Sequence, residues 1–441
     1  MKVKVCLQWL AAAVLMLVGV QSVFAGPGIQ HWNTKNGMPV YFVPAPDLPM
    51  VDIRITFAAG SSRDHGKPGL ASLTNAMLTQ GAAGMSADEI AQAFEDVGAQ
   101  VGHGALRDMS WLSLRTLSQA EYFDPALQVF TKVLWQPDFP AADFTRLQNQ
   151  SLLAIKAGEA NPGTIASKAF YKALYGDHPY GSPVEGTEAS IKALTRDDLK
   201  AFYRQYFVAH NGGIALTGDL TREQAEKLAE KLSAGLQAGT AAPSIPDAPA
   251  LKESKTIRLP FPSRQAHVFM GQPGIERGNP DYYPLYLGNH VLGGGGFNSR
   301  LVKEVRVKRG YAYSVYSYFL LMAAQGPYQI AMQTRGSQVD DAIEVARETL
   351  QTFMKEGPTE AEIEAAKKNI TGSFPLRIAS NRSIVEYLAL IGFYHLPLDY
   401  LDTFTGHIDE VTAKQIIKAF QGHVDPDRMV TVIVGGSTKA D

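Results

Sequence analysis

Between Asp340 and Gly357 the chain reads DDAIEVARETLQTFMKEG, which sets Ile343, Ala346, Leu350 and Phe353 on one face of a helix, with polar residues around the rest. Runs such as VDIRITFAA from Val51 and HVFMGQPG from His267 read instead as strands, and each precedes long amphipathic helices. The same order of events occurs twice. LTRDDLKAFYRQYFVAHNGGIALTGDL from Leu194 and VTAKQIIKAFQGHVDPDRMVTVIVGG from Val411 both begin with a Thr able to cap a helix. Both continue through Lys-Ala-Phe and end in an apolar strand closed by Gly. Upstream, FPAADFTRLQNQSLLA from Phe139 parallels GPTEAEIEAAKKNITG from Gly357 as a Pro-led helix start.

Two matched pairs at a similar spacing predict a duplicated domain, against the alternative of shared helix grammar. The Ala-, Gly-, Pro- and Ser-rich stretch from Ser233 to Ser254 has no apolar periodicity and reads as a linker. The predicted organisation is α+β: a first domain over 26–235, a linker over 236–254 and a second domain over 255–441, each a sheet packed against helices on one face.

The start of the chain departs from this pattern. MKVKVCLQWLAAAVLMLVGVQSVFA places Lys2 and Lys4 before a short apolar run that closes on Val23-Phe24-Ala25, the form of a cleavable secretory signal over 1–25. A retained anchor is the alternative, but the run is short for a membrane span. Cys6 is the only cysteine, so the cleaved chain has no disulfide to draw on and is stabilised by packing, which 441 residues allow. With 41 basic and 43 acidic residues the formal net charge is -2, which leaves no electrostatic footprint for nucleic acid or an anionic membrane. No second run long enough to span a bilayer follows. An exported protein is expected, periplasmic if the source is Gram-negative.

Three further stretches occur in a telling order: GSSRDHGKPGLASLTNAMLTQG from Gly60, HPYGSPVEGT from His178 and SRLVKEVRVKRGYAYSVYS from Ser299. Together they resemble the hallmark segments of the M16 metallopeptidases, of the bacterial two-domain type. The resemblance implies two related α+β domains of the LuxS/metallopeptidase-like fold, and paired units closing around a chamber for a peptide. Members of that family bind zinc through His-x-x-Glu-His on a helix of the first domain, with Glu as the base. In GLASLTNAML the two histidine positions are held by Ser72 and Ala76, and the glutamate position by Asn75. Alanine has no donor atom, a neutral serine hydroxyl is a poor zinc ligand, and an amide cannot take up the proton of a zinc-bound water. The family's further Glu ligand would fall in TRLQNQSLLAIKAG, 145–158, which contains no carboxylate. His65 and His103 are the nearest other candidates, but neither has a second ligand at a recognisable spacing, and both read as surface or hydrogen-bonded residues. His178, before Pro179, reads as the brace of a turn.

The second domain keeps what the first lacks. Arg306 and Tyr313 match the arginine-tyrosine pair that the family uses to hold substrate beside zinc, and both can donate to a peptide carbonyl or an oxyanion. Read without the resemblance, Arg306 would pair with Glu304 or a neighbour and Tyr313 would be core. The run Gly293 to Gly296 lacks the Lys-Ser/Thr of a phosphate loop and reads as a place where backbone comes close to another element. Tyr311, Tyr313, Tyr316 and Tyr318 mostly alternate, which suits a strand with an aromatic face lining either a chamber or the core. The resemblance therefore implies a subunit with no zinc and no independent activity. It would lend substrate contacts and chamber closure to a zinc-bearing M16 chain that hydrolyses unfolded peptides or small proteins. The alternative is a non-proteolytic peptide-binding or scaffold protein of the cell envelope, expected as a stable homodimer.

Overall fold

A computed structural model describes residues 28–436, so the signal segment expected over 1–25 lies outside the described residues. In chain order the first half supplies β1 (Gln30–Asn33), β2 (Pro39–Pro44), β3 (Met50–Phe57), β4 (Gly81–Ala82), β5 (Met85–Ser86), β6 (Gln100–Ala105), β7 (Ser110–Leu117) and β8 (Gly212–Gly218). The second supplies β9 (Lys255–Leu259), β10 (Gln265–Pro273), β11 (Ala312–Phe319), β12 (Pro327–Arg335) and β13 (Val430–Gly435). Apart from the small β4-β5 ribbon they form two sheets, ordered β1-β2-β8-β3-β7-β6 and β11-β12-β10-β13-β9.

The duplication is explicit in this topology. Strands β2, β8, β3, β7 and β6 correspond one for one to β9, β13, β10, β12 and β11. β8 runs parallel to β2 and antiparallel to β3, and β13 likewise runs parallel to β9 and antiparallel to β10. The helices that lead into β8 and β13 are the matched pair, Arg196–Tyr206 and Ala413–His423. Thr195 and Thr412 cap them, each in a reciprocal box with the residue three positions on, Asp198 and Gln415. The second matched pair gives helices Ala141–Gly158 and Glu360–Arg377. Pro140 is itself the cap residue in the first, whereas Pro358 precedes the cap Thr359 in the second.

Helices on one face, as expected, bury the main core of each half. In helix Val339–Glu356, Ala346, Leu350 and Phe353 are buried as the stripe requires, while Ile343 packs at the core margin. The opposite faces are covered too, by helices exchanged between the halves. Phe170, Leu174 and Tyr175 of helix Pro162–Tyr175, from the first half, pack on Val430, Val432 and Val434 of β13. Val385, Leu388 and Ala389 of helix Asn381–Phe393, from the second half, pack on Tyr41, Val43 and Ala215 of the first sheet. A central strand that reads VTVIVG is apolar on both faces and must be covered on both.

Residues 236–254 contain neither helix nor strand, and they are strapped along the molecule. The Asn211 carboxamide oxygen accepts from Ala242 N at 2.7 Å, and the Gln325 side-chain oxygen accepts from Ala248 N at 2.8 Å. His178 braces its turn by accepting from Tyr180 N at 3.2 Å through Nδ1. That fixes its tautomer, so Nε2 donates to Pro246 O at 2.9 Å. A buried carboxylate joins the halves: Asp108 accepts from the hydroxyl of Tyr180 at 2.5 Å, that of Tyr394 at 2.9 Å and Ala323 N at 2.8 Å. Burial, reinforced by Asp108, holds both phenols above their ordinary range and so keeps them protonated donors. No helix among the described residues is long and apolar enough to cross a membrane.

Candidate functional site

Helix Leu70–Met77 packs its apolar face into the first core and meets the edge strand β6 and its neighbour β7. Asp64 caps its start. The carboxylate accepts from Gly69 N and Ala71 N, both at 2.8 Å, yet burial is severe enough to push its pKa up to about 7. Ser72 and Ala76 lie half-buried, four residues apart.

Asn75 is only 1% exposed and its carboxamide is used on both sides. Nδ2 donates to Trp111 O on β7 at 3.2 Å, and Oδ1 takes a hydrogen bond from His103 Nδ1 on β6 at 2.9 Å. A carboxamide oxygen only accepts, so His103 carries its proton on Nδ1; burial lowers its pKa and favours the neutral ring. Asn75 is thus a strut between a helix and two strands.

These residues do not fit zinc. Ser72 and Ala76 supply no ligand of useful basicity, the Asn75 oxygen is a neutral amide already engaged by His103, and helix Ala141–Gly158, which packs alongside, has no carboxylate beyond Asp143, itself paired with Arg146 at 2.8 Å. His65 is bonded to the Tyr206 hydroxyl at 2.6 Å. No group of three or more His, Cys, Asp or Glu among the described residues is placed to hold a metal.

The second half presents the opposite picture. Strand β11 is the edge of its sheet, the counterpart of β6. A bulge between Ala312 and Ser314 sets Tyr313 outside the ladder and re-aims its side chain, which is 76% exposed. The Arg306 guanidinium lies 5.1 Å from the centre of that ring and 4.9 Å from the centre of Phe297, itself 70% exposed. Glu304 is engaged by Lys308 at 2.7 Å and Arg309 at 2.8 Å, so it is not the partner of Arg306. A cation between two aromatic faces keeps its plane fixed and its N–H edge free.

The local backbone accounts for this arrangement. One wide π-type turn, His290–Gly294, takes in the start of the glycine run, and a second, Val302–Val307, follows it. A Cβ on Gly293 would lie 2.2 Å from the Ser317 hydroxyl, so glycine is needed for the loop to approach β11 closely. Beside it, Asn289 and Ser317 exchange buried hydrogen bonds at 2.7 and 2.8 Å. Tyr316 and Tyr318 continue the aromatic row, stacked 6.1 Å apart. Phe297 was not singled out by motif reasoning; its signal was a large apolar side chain inside a glycine-rich loop.

Comparison with known proteins agrees with this geometry. Residues 42–188 match the family model described as insulinase (peptidase family M16), and 193–370 match the model of the peptidase M16 inactive domain. The uncharacterized zinc protease YmxG of Bacillus subtilis is 29% identical over 80% of this chain and 86% of its own. The non-peptidase homolog YmxG of Helicobacter pylori is 27% identical over 97% of this chain and 98% of its own. The crystal structure of a peptidase M16 inactive domain from Pseudomonas fluorescens is 43% identical, with a TM-score of 0.90 over 94% of this chain and 99% of that one. On these matches, together with its two interlocked sheets, the chain belongs to the M16 peptidase family.

Proposed function

We propose that this chain is the non-catalytic subunit of a heteromeric M16 zinc peptidase, exported from the cytoplasm. In this reading it contributes substrate contacts and chamber closure, while a separate zinc-bearing M16 chain hydrolyses the peptide bond. The observation that carries the reading is a contrast within one molecule. Asn75 is locked between Trp111 and His103 where a base would stand, whereas Tyr313 is exposed and Arg306, half-buried beside it, has no carboxylate partner among the described residues. Arg306 and the Tyr313 hydroxyl can donate to a peptide carbonyl or to the oxyanion that forms at the partner's site. The name of the Helicobacter pylori relative supports a non-peptidase role.

Co-expression with a zinc-bearing M16 homologue from the same genome tests the proposal. A complex should co-purify with peptidase activity, and Arg306→Ala and Tyr313→Phe should each lower kcat/KM about tenfold or more, the scale of a lost transition-state donor. Full activity in both variants would remove the proposed role. A stable homodimer that captures no such homologue would favour the scaffold reading.

A further inference from the structure

A cavity of about 650 Å³ lies between the two halves, with β3, β6 and β7 on one side and helix Asn381–Phe393 and the 320–322 segment on the other. Its size falls within the ~300–1,000 Å³ usual for small-ligand sites. Five arginines reach it, Arg54, Arg107, Arg115, Arg277 and Arg382, against three carboxylates, Asp52, Asp108 and Glu386.

The carboxylates are already engaged. Asp52 accepts from two nitrogens of Arg115, at 2.9 and 3.2 Å. Asp108 holds Tyr180, Tyr394 and Ala323 N as described, and Glu386 pairs with Arg382 at 3.5 Å, its charge also reaching Arg54. Among the described residues, Arg54, Arg107 and Arg277 have no carboxylate in ion-pair contact.

Each of these three lies on an aromatic ring: Arg54 on Trp111 at 4.0 Å, Arg107 on Tyr171 at 3.7 Å and Arg277 near Tyr394 at 4.9 Å, where it also bonds the phenol. Stacking fixes the guanidinium plane and leaves the N–H edge to receive a carboxylate in two-point contact. Arg107 Nε spends one long bond of 3.3 Å on Tyr180 O, and Arg277 Nε is buried with no partner. Burial also holds the Arg54 pKa below its ordinary range, the mark of a cation removed from water without an anion in contact. Between the charges the wall is apolar, with Val101, Leu106, Met109, Leu321 and Leu390.

We propose that this cavity binds a carboxylate carried on an apolar body, of the size of a short peptide's C-terminal end. The site belongs to this chain alone and needs no partner subunit, so it stands or falls separately from the heteromeric function. The carboxylate can come from a peptide C-terminus or from a free aliphatic acid.

Tryptophan emission, with Trp111 in the cavity wall as reporter, provides the measurement on the isolated protein. The probes are acetyl-Leu-Leu-Leu as free acid, the same peptide as its C-terminal amide, octanoate and inorganic phosphate. The free acid should bind at least tenfold more tightly than the amide, and Arg54→Gln should weaken it at least tenfold. Tighter binding of the peptide acid or of octanoate upholds the site and identifies its source. Equal binding of acid and amide, no binding at millimolar acid, phosphate binding as tightly as the acid, or an Arg54→Gln protein that binds normally would each overturn the proposal. The acid-amide comparison uses the unaltered protein, so it holds even if the variant fails to fold.

Discussion

His103 donates from Nδ1 to the carboxamide oxygen of Asn75 at 2.9 Å, across the gap between strand β6 and helix Leu70–Met77. Asn75 in turn donates to Trp111 O, so one side chain ties the helix to two adjacent strands. Asn75→Ala would leave the half-buried His103 N–H without its acceptor and remove the tie from the helix to Trp111 O. The expected cost is about 1–3 kcal/mol, read as a lower urea midpoint at unchanged slope.

Arg300 grips Glu362 through two nitrogens, at 2.9 and 2.6 Å, and fastens the segment that carries Arg306 to helix Glu360–Arg377. The hydrogen bond from Arg300, opposed in part by burial, holds the Glu362 carboxyl down to about 2, against an ordinary 4.5. Its folded value is depressed, so its contribution is complete above pH 4.5 and is lost as pH falls from there toward 2. Glu362→Gln should cost about 1.5–3 kcal/mol at pH 7. The gap to the unaltered protein should close by pH 2, as followed by urea unfolding across that range.

Asp64 has the opposite sign. Burial raises its carboxyl from 3.8 to about 7, so the folded state holds the proton more tightly than the unfolded chain. Its contribution is full below pH 3.8 and is lost as pH rises through about 7. Asp64→Asn cannot ionise and keeps one acceptor for the helix start. Thermal melts should fall less between pH 5 and pH 8 in the variant than in the unaltered protein; parallel falls would assign the pH dependence elsewhere.

The exchanged helices predict that the halves are not independent. Residues 28–235 alone would keep helix Pro162–Tyr175 but lose the valines of β13 on which Phe170 and Leu174 pack. They would also lose the helix that covers Tyr41 and Val43. Each exposed large apolar side chain forfeits about 1.5–3 kcal/mol. Each half expressed singly should aggregate and co-expression should restore a soluble pair. Protease cleavage within 236–254 should leave both pieces co-eluting on gel filtration.

Much of this architecture was legible beforehand. The Thr195 and Thr412 caps, the Lys-Ala-Phe helices and the apolar strands behind them disclosed the duplication, because capping and periodicity are local and survive in a bare sequence. The exchange of Pro162–Tyr175 and Asn381–Phe393 was not legible, since an apolar stripe says that a helix is covered but not by which sheet. Alternation along β11 suggested one aromatic face, but the bulge at Tyr313 resets it, and a bulge depends on what the neighbouring strand can pair with.

The sequence by itself determined the fold class, the repeat and the donor chemistry of helix Leu70–Met77, because Ser72, Asn75 and Ala76 offer a hydroxyl, an amide and a methyl group wherever they lie. Tertiary structure alone decided what these side chains touch. It set His103 against Asn75, placed Arg306 between Phe297 and Tyr313 instead of beside Glu304, and gathered five arginines from distant stretches around one cavity. Side-chain identity limits what a residue can do, but hydrogen bonds, stacking and burial depend on which segments the folded chain brings together.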